Sequence, residues 1–178
     1  MSLPIDTPRL VVRAYTLADL DDVYDVLSDP LVSLGGEDGK TRDETRAWLA
    51  EELEYLRRDG TGRYAIELRE TGRVIGGTGL VRRELDGVEE LELGYHLRSD
   101  LWGRGLATEA ALAMLQEART RGEARVIAFI APDNQRSQRV ARRIGMTLVR
   151  RTEWFGRPHD MWVAQLAVAD GAPRGEQP

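Results

Sequence analysis

The sequence predicts an α/β fold (α+β in some schemes) in which a mixed, mostly antiparallel sheet carries helices on both faces. Three β-rich segments separated only by short turns follow one another in the middle of the chain, which is typical of an antiparallel meander. A strand, a helix and another strand come next, an order that implies one parallel pair of strands. Segments with helical spacing precede and follow these strands, so both faces of the sheet can be covered.

The first sixty residues predict one strand and two helices. Residues 9–15 are rich in β-formers and predict the strand. A helix over 16–29 begins at Thr16, an N-cap residue with Asp19 three positions later, and ends at an Asp-Pro pair. After a glycine-containing loop, the capping-box pattern Thr-Arg-Asp-Glu opens a second helix over 41–60.

The remaining elements follow from the same signals. The meander is predicted as strands over 63–69, 73–83 and 88–97, with Thr-Gly and Asp-Gly turns between them. The later elements are predicted as a helix over 105–121, a strand over 126–130, a helix over 134–144, and strands over 146–154 and 161–168 around a Phe-Gly-Arg-Pro turn. Residues 170–178 are rich in Gly, Pro and Ala, which predicts a disordered tail after a single domain over 1–169.

Composition bounds the class of protein. The 178 residues carry a net charge of -5 and no cysteine, which excludes disulfides, thiolate catalysis and zinc–thiolate sites. With only two histidines, we expect no metal site. The acidic balance argues against a nucleic-acid-binding surface, and no apolar run reaches the roughly 18 residues that a membrane span needs. Because the first residues lack a signal-peptide layout, a cytoplasmic location without membrane contact is the default expectation.

The sharpest local feature is the segment W-G-R-G-L-A-T-E-A at 102–110, between a predicted strand and a predicted helix. Its glycines allow tight turning, and the helix start offers unpaired N–H groups and the positive end of the helix dipole. This combination suits a pyrophosphate, although a plain loop before a helix fits the segment alone equally well. A P-loop would need a lysine and a Ser or Thr after the second glycine, and the dinucleotide fingerprint fails at Thr108.

The same segment resembles motif A of the GNAT superfamily, whose general form is Q/R-x-x-G-x-G/A. Gly105 and Ala107 match its last two fixed places, and Trp102 in place of Gln or Arg is typical of the RimJ/RimL-like branch of ribosomal-protein N-terminal acetyltransferases. Four further pieces agree in order with that branch, and the resemblance extends over about residues 7–168. These are T-P-R-L-V-V-R at 7–13, V-I-G-G-T-G-L at 74–80, E-L-G-Y at 92–95, and N-Q-R-S at 134–137 followed by R-I-G-M at 143–146.

The resemblance implies a GNAT-type sheet with one splayed parallel strand pair and acetyl-CoA as cosubstrate, with no metal. In the family the glycine-rich turn holds the CoA pyrophosphate through backbone N–H groups, and the preceding strand end and an asparagine contact the pantetheine arm. Carried over to this chain, the implied cofactor-binding residues are Tyr95, His96, Leu97, Gly103, Arg104, Gly105, Leu106, Ala107, Thr108 and Asn134. Tyr95 fits a core position at least as well, Asn134 equally fits a helix N-cap, and the His96 side chain is expected at the surface.

Acetyl transfer to an amine needs a group that takes a proton from the amine, and the leaving thiolate takes up a proton. Glu92 stands at the family's E-x-G-Y place and is the candidate base, directly or through water; its pattern alone equally fits an exposed glutamate on a half-solvated strand. Ser137 resembles the acid of the RimL type, because residues 134–143 contain no tyrosine; the alternative is a serine that only begins a helix.

The expected function is transfer of an acetyl group from acetyl-CoA to a primary amine, either a protein N-terminal α-amine or a small molecule. The alternative is a non-catalytic acyl-CoA-binding or scaffold protein with the same fold. A nucleic-acid-directed enzyme is disfavoured by the acidic charge. The loops before Thr41 and over 155–160 are expected to shape the acceptor site, and the acidic loop at 35–38 would attract a cationic amine. An exposed strand edge near the C-terminal strands would allow a homodimer.

Overall fold

An eight-stranded sheet runs through the computed structural model, which describes residues 3–32 and 38–166. Its strands are, in chain order, β1 (Ile5–Asp6), β2 (Leu10–Arg13), β3 (Gly62–Leu68), β4 (Arg73–Leu85), β5 (Val88–Leu97), β6 (Arg125–Ile130), β7 (Thr147–Trp154) and β8 (Arg157–Gln165). In space the order is β1-β2-β3-β4-β5-β6-β8-β7. Neighbouring strands are antiparallel except β5 and β6, which are parallel because a helical crossover joins them. The predicted fold class is confirmed.

Four helices cover the sheet. They are α1 (Leu20–Leu27), α2 (Arg42–Asp59), α3 (Leu106–Thr120) and α4 (Gln135–Arg143). The predicted capping box at the start of α2 is present: the Thr41 hydroxyl accepts the backbone N–H of Glu44, and the Glu44 carboxylate accepts the backbone N–H of Thr41 at 2.8 Å. Gly60 ends the helix with a φ of 64°, in the left-handed region.

Several elements differ from the sequence prediction, three of them in ways that have a clear cause. β1 is not predicted, because two residues are too few for a periodic pattern. α1 starts four residues after Thr16, since Leu17–Asp19 first forms a 3-10 turn. β8 begins at Arg157, four residues earlier than predicted, so the turn before it consists of Phe155 and Gly156 alone. Both have positive φ angles, 50° and 71°, as a type I′ hairpin turn requires.

The helices divide between the two faces of the sheet. Tyr64 and Ala65 are neighbours on β3 and both are fully buried, so they show what covers each side. Tyr64 belongs to the core formed with Met114 of α3 and with α4, whereas Ala65 belongs to the core formed with Leu49 of α2 and with α1. We call these two sides the α3 face and the α2 face.

β7 forms one edge of the sheet, and its side chains Leu148 and Val149 are 51% and 59% exposed. The homodimer expected at such an edge stays a prediction, as do the domain bounds 1–169. The predicted tail over 170–178 lies outside the described residues, as does all of the acidic loop at 35–38 except Asp38.

A buried carboxylate fastens the start of α1 to the sheet. The guanidinium of Arg13 donates to both oxygens of Asp19, at 2.8 and 2.9 Å, and the backbone N–H of Thr16 donates to the same carboxylate at 2.7 Å. Burial by itself raises the pKa of Asp19, but these hydrogen bonds outweigh it and hold the pKa below its usual value. Arg13 also donates to Glu67 of β3, so one arginine connects three segments.

Asp19→Asn is expected to lower the free energy of unfolding at pH 7 by about 2 kcal/mol, the scale of hydrogen bonds to a charged group. Because the folded pKa is depressed, the carboxylate stabilises the fold fully above its unfolded pKa of about 3.9, and this contribution is lost as the pH falls through the folded value. The difference between wild type and variant, measured by urea unfolding, therefore stays constant from about pH 5 to 8 and shrinks at lower pH.

Asp25→Asn is the matched control, because Asp25 lies on α1 but is half exposed in its ion pair with Arg73. It is expected to change stability by less than about 0.5 kcal/mol. If Asp19→Asn and the wild type had the same free energy of unfolding at pH 7, the Asp19 carboxylate would not stabilise the fold.

Candidate active site

The sheet opens between β5 and β6. The two strands are in register at a single residue pair, Glu92 and Ile127. β5 continues to Leu97 with only β4 beside it, so the backbone groups of this segment that face away from β4 have no strand partner. The expected splay is present, and it leaves polar backbone groups available to a ligand.

A cavity of about 850 Å³ occupies this opening, between the end of β5, the start of α3 and α4. It is lined by ten of the residues singled out from the sequence: Tyr95, His96, Leu97, Gly103, Gly105, Leu106, Ala107, Thr108, Asn134 and Ser137. Arg104 lies on the same turn with an exposed side chain and is not part of the wall. Glu92 does not line the cavity either.

The glycine-rich turn enters α3 through two left-handed residues. Gly103 and Gly105 have φ angles of 81° and 78°, which residues with a Cβ adopt only with strain. Gly105 is the N-cap of α3, so the first N–H groups of the helix lie along the cavity wall without intrahelical partners. The hydroxyl of Thr108, in that first turn, is buried and has no hydrogen-bond partner among the described residues. A bound anion would satisfy all of these donors.

The carboxylate in the first turn of α3 turns away from the cavity. Glu109 accepts hydrogen bonds from the Thr7 hydroxyl at 2.6 Å, from the backbone N–H of Arg9 at 2.8 Å and from its guanidinium at 2.7 Å. Burial by itself raises the pKa of Glu109, but these bonds outweigh it and lower the pKa. Arg9 also donates to the backbone carbonyl of Arg104 at 2.9 Å, so the segment before β2 holds the glycine-rich turn from outside.

Trp102 packs beneath the glycine-rich turn. Its indole N–H donates to the carbonyl of Leu97 at 2.9 Å, which ties the turn to the end of β5. The guanidinium of Arg136, on α4, lies 4.4 Å from the centre of the indole ring. This cation–π contact joins the turn to α4 at the cavity wall.

The start of α4 supplies the opposite wall. Asn134 is its N-cap, since its side-chain oxygen accepts the backbone N–H of Ser137 at 3.0 Å. The amide nitrogen of Asn134 makes no hydrogen bond to the described residues, so the cap leaves it available to a ligand. Tyr95 donates its hydroxyl to the carbonyl of Ser137 at 3.0 Å and so fastens β5 to α4, while the Ser137 hydroxyl has no described partner.

The sequence predicted the His96 side chain at the surface, but the residue is only partly exposed. Alternation along β5 correctly puts it on the face opposite Tyr95, but α2 covers that face, and the His96 ring meets Trp48 edge-on at 6.3 Å. A Cβ at Gly77 would lie 2.6 Å from the ring, so this packing requires glycine there. Burial, followed by the positive charge of Arg63, lowers the pKa of His96 to about 3, so the ring is neutral at pH 7.

Glu92 approaches the gap from the α2 face. Its carboxylate accepts a hydrogen bond from Nε of Arg83 at 2.9 Å, and its side chain is 16% exposed. A Cβ at Gly94, the next residue on this face, would meet nothing within 4 Å, so open space lies beside Glu92. Glu92 and Ser137 therefore flank the gap between β5 and β6 from opposite faces.

Sequence reasoning missed an aromatic group on the α2 face. Phe129 lies two residues beyond Ile127 on β6, and its ring stacks on Trp154 with centroids 4.1 Å apart. Trp154 in turn meets Phe155, which is 80% exposed at the hairpin tip. The β-rich segments indicated strands here, but nothing in the sequence indicated that β8 and β7 would bring this tip beside β6.

Within residues 3–32 and 38–166, no group of three or more His, Cys, Asp or Glu side chains is placed to hold a metal ion. None of the helices that the structure describes is long and apolar enough to cross a membrane.

Comparison with known proteins places the chain in a family. The sequence of residues 9–147 matches the acetyltransferase (GNAT) domain family. The chain is 30% identical over 142 residues to YkkB, an uncharacterized protein of Bacillus subtilis, covering 79% of this chain and 83% of that protein. It is similar to an acetyltransferase from Agrobacterium tumefaciens, with 28% identity, a TM-score of 0.75, and 93% and 96% of the two chains covered.

A more distant solved structure shares the fold. It is RimL, described as a ribosomal L7/L12 alpha-N-protein acetyltransferase in complex with coenzyme A, with 20% identity, a TM-score of 0.76, and 91% of this chain and 97% of that chain covered. The sheet, its parallel pair and the glycine-rich turn agree with the family match, which spans most of the sequence. The chain belongs to the GNAT acetyltransferase family and is an N-acetyltransferase.

Proposed function

We propose that this enzyme transfers the acetyl group of acetyl-CoA to a primary amine by direct attack of the amine on the thioester, with CoA in the cavity between β5, α3 and α4. The observation that carries the proposal is the coincidence of an anion-binding helix start with a sheet opened beside it. GNAT acetyltransferases use acetyl-CoA, and the RimL structure contains coenzyme A.

The residues present fit such a cosubstrate. The backbone N–H groups at residues 103–108 would hold the pyrophosphate, and the hydroxyl of Thr108 gains the partner that it lacks in the protein alone. The pantetheine arm would lie along β5 from Leu97 toward Leu93, where the backbone groups that face away from β4 have no strand partner, although the Leu97 carbonyl already accepts the Trp102 indole N–H. The amide nitrogen of Asn134 would contact the same arm. The acetyl group would then lie near the pair Glu92–Ile127, where the gap closes.

The chemistry uses both faces of the sheet. The acceptor amine would approach from the α2 face, where Glu92 takes its proton directly or through a water molecule, with Arg83 holding one carboxylate oxygen in place. Nitrogen forms a bond to the acetyl carbon as the carbon–sulfur bond breaks. The departing thiolate takes up a proton on the α3 face, for which the free hydroxyl of Ser137 is the donor.

The proposed acceptor is a protein N-terminal α-amine or a small-molecule amine, with the RimJ/RimL-like branch as the expected subfamily. The open space beside Gly94 and the aromatic group of Phe129, Trp154 and Phe155 lie on the side from which the amine would approach. A cytoplasmic location and a homodimer remain parts of the proposal.

The first prediction concerns cofactor and acceptor together. The wild-type protein is expected to bind CoA by calorimetry and to release thiol from acetyl-CoA with at least one acceptor in a panel of N-terminal peptides and small amines. Thr108→Val keeps the shape but removes the hydroxyl, and it is expected to weaken CoA binding roughly tenfold. Absence of CoA binding by the wild type would overturn the proposal, and binding without turnover on any acceptor would oppose acetyl transfer to these classes.

Glu92→Gln is expected to lower kcat by about 100-fold or more and to leave the Kd for CoA unchanged, because it removes a proton acceptor that does not line the cavity. Single-turnover kinetics with the best acceptor and CoA titration provide the two measurements. Glu89→Gln is the control, since Glu89 is on the same strand but 69% exposed and paired with Arg82. Wild-type turnover in Glu92→Gln would remove Glu92 from the mechanism.

Ser137→Ala is expected to lower kcat roughly tenfold to 100-fold, because the leaving thiolate loses its proton donor. The cap of α4 survives the change, since Asn134 bonds the backbone N–H of residue 137 rather than its side chain. Ser137→Thr, which restores a hydroxyl, is expected to recover part of the activity. Full activity in the alanine variant would show that water or the amine itself supplies the proton.

A further inference from the structure

The arginines on α4 form no ion pair with any carboxylate that the structure describes. Most arginines form ion pairs with aspartate or glutamate, even at the surface. Arg136, Arg139 and Arg143 have no carboxylate of the described residues within 4.0 Å. In a chain with a net charge of -5, three such cations on one short helix form a distinct basic surface.

Their spacing puts all three on one side of the helix. Positions three and seven residues apart along an α-helix lie on the same stripe, and all three arginines line the rim of the cavity. Arg142, on the same helix, belongs to another side, where its guanidinium lies over Trp162 at 5.2 Å from the ring centre.

Arg136 is also held in a defined orientation. Its guanidinium lies 4.4 Å from the centre of the Trp102 ring, and Trp102 is itself fixed to the carbonyl of Leu97. A guanidinium stacked on an aromatic face keeps the N–H groups at its edge available for an acidic oxygen. Arg136 is thus oriented in advance for a phosphate group at the cavity rim.

In the proposed function, the glycine-rich turn binds the pyrophosphate of CoA. The backbone N–H groups at the start of α3 and the Thr108 hydroxyl suit the pyrophosphate. CoA carries one further phosphate, a monoester on the 3′ position of its ribose, with a charge of roughly -1.5 to -2 near neutral pH. Three unpaired guanidinium groups at the rim complement that charge.

We propose that Arg136, Arg139 and Arg143 bind the ribose 3′-phosphate of CoA, so that the enzyme discriminates CoA from dephospho-CoA. This inference rests on the proposed function, because it takes CoA as the ligand of the cavity. The three arginines determine which ligand binds and take no part in the chemical step.

The test compares CoA with dephospho-CoA, which lacks only the 3′-phosphate, by calorimetric titration of the full chain. The wild type is expected to bind CoA at least roughly tenfold more tightly, the scale of one or two charge-assisted hydrogen bonds. The triple variant Arg136→Gln, Arg139→Gln, Arg143→Gln is expected to lose that preference and to bind dephospho-CoA as the wild type does. Raising the salt concentration should reduce the preference of the wild type, because the arginines are exposed.

Arg119→Gln is the matched control. Arg119 is exposed on α3 and also has no carboxylate partner among the described residues, but it does not line the cavity. The Arg119→Gln substitution should leave the affinities for CoA and for dephospho-CoA unaltered.

Three results would overturn the inference. Equal binding of the two ligands by the wild type would reject it while leaving the proposed function intact. Equal weakening of both ligands in the triple variant would assign the three arginines to a part of CoA that the two share. Binding of neither ligand by the wild type would overturn the proposed function as well.

Discussion

The end of pairing between β5 and β6 is the constraint on which the rest of the site depends. Antiparallel strands can stay paired along their whole length, but here a parallel pair joined by a helix keeps only the contact at Glu92 and Ile127. Beyond it, the glycine-rich turn starts α3 on one side and Asn134 starts α4 on the other, so two helix starts converge on one gap. The cavity, its unpaired backbone groups and the orphaned hydroxyl of Thr108 all follow from that divergence.

Pieces of sequence that look independent meet in the fold. The opening Thr-Pro-Arg-Leu and the Thr-Glu-Ala at the start of α3 are about one hundred residues apart, yet Thr7 and Arg9 both bond Glu109. A carboxylate in the first turn of a helix would otherwise lie near the place where an anion binds, and these bonds direct it elsewhere. The N-terminal segment therefore supports the proposed anion site without lining the cavity.

Local chemistry was enough to predict most elements, whereas most of the residues that line the cavity were predicted only through the family resemblance. The cap at Thr41, the left-handed glycines and the helical crossover depend on a few neighbouring residues, and so they are readable in sequence. The burial of His96 and the ion pair of Glu92 with Arg83 depend on which helix covers which face and on how far β4 and β5 extend. Such facts are set by packing between distant segments, which periodicity alone does not encode.

The division of the sheet into two faces has a kinetic consequence. The cavity is bordered by α3 and α4, whereas Glu92 and the open space beside Gly94 lie on the other side. In the proposed mechanism, acetyl-CoA and the acceptor amine would therefore reach the gap through separate entrances, and neither would have to leave before the other arrives. An enzyme with this arrangement would be able to assemble its ternary complex in either order. It would have no geometric reason to store the acetyl group on one of its own side chains before passing it to the amine.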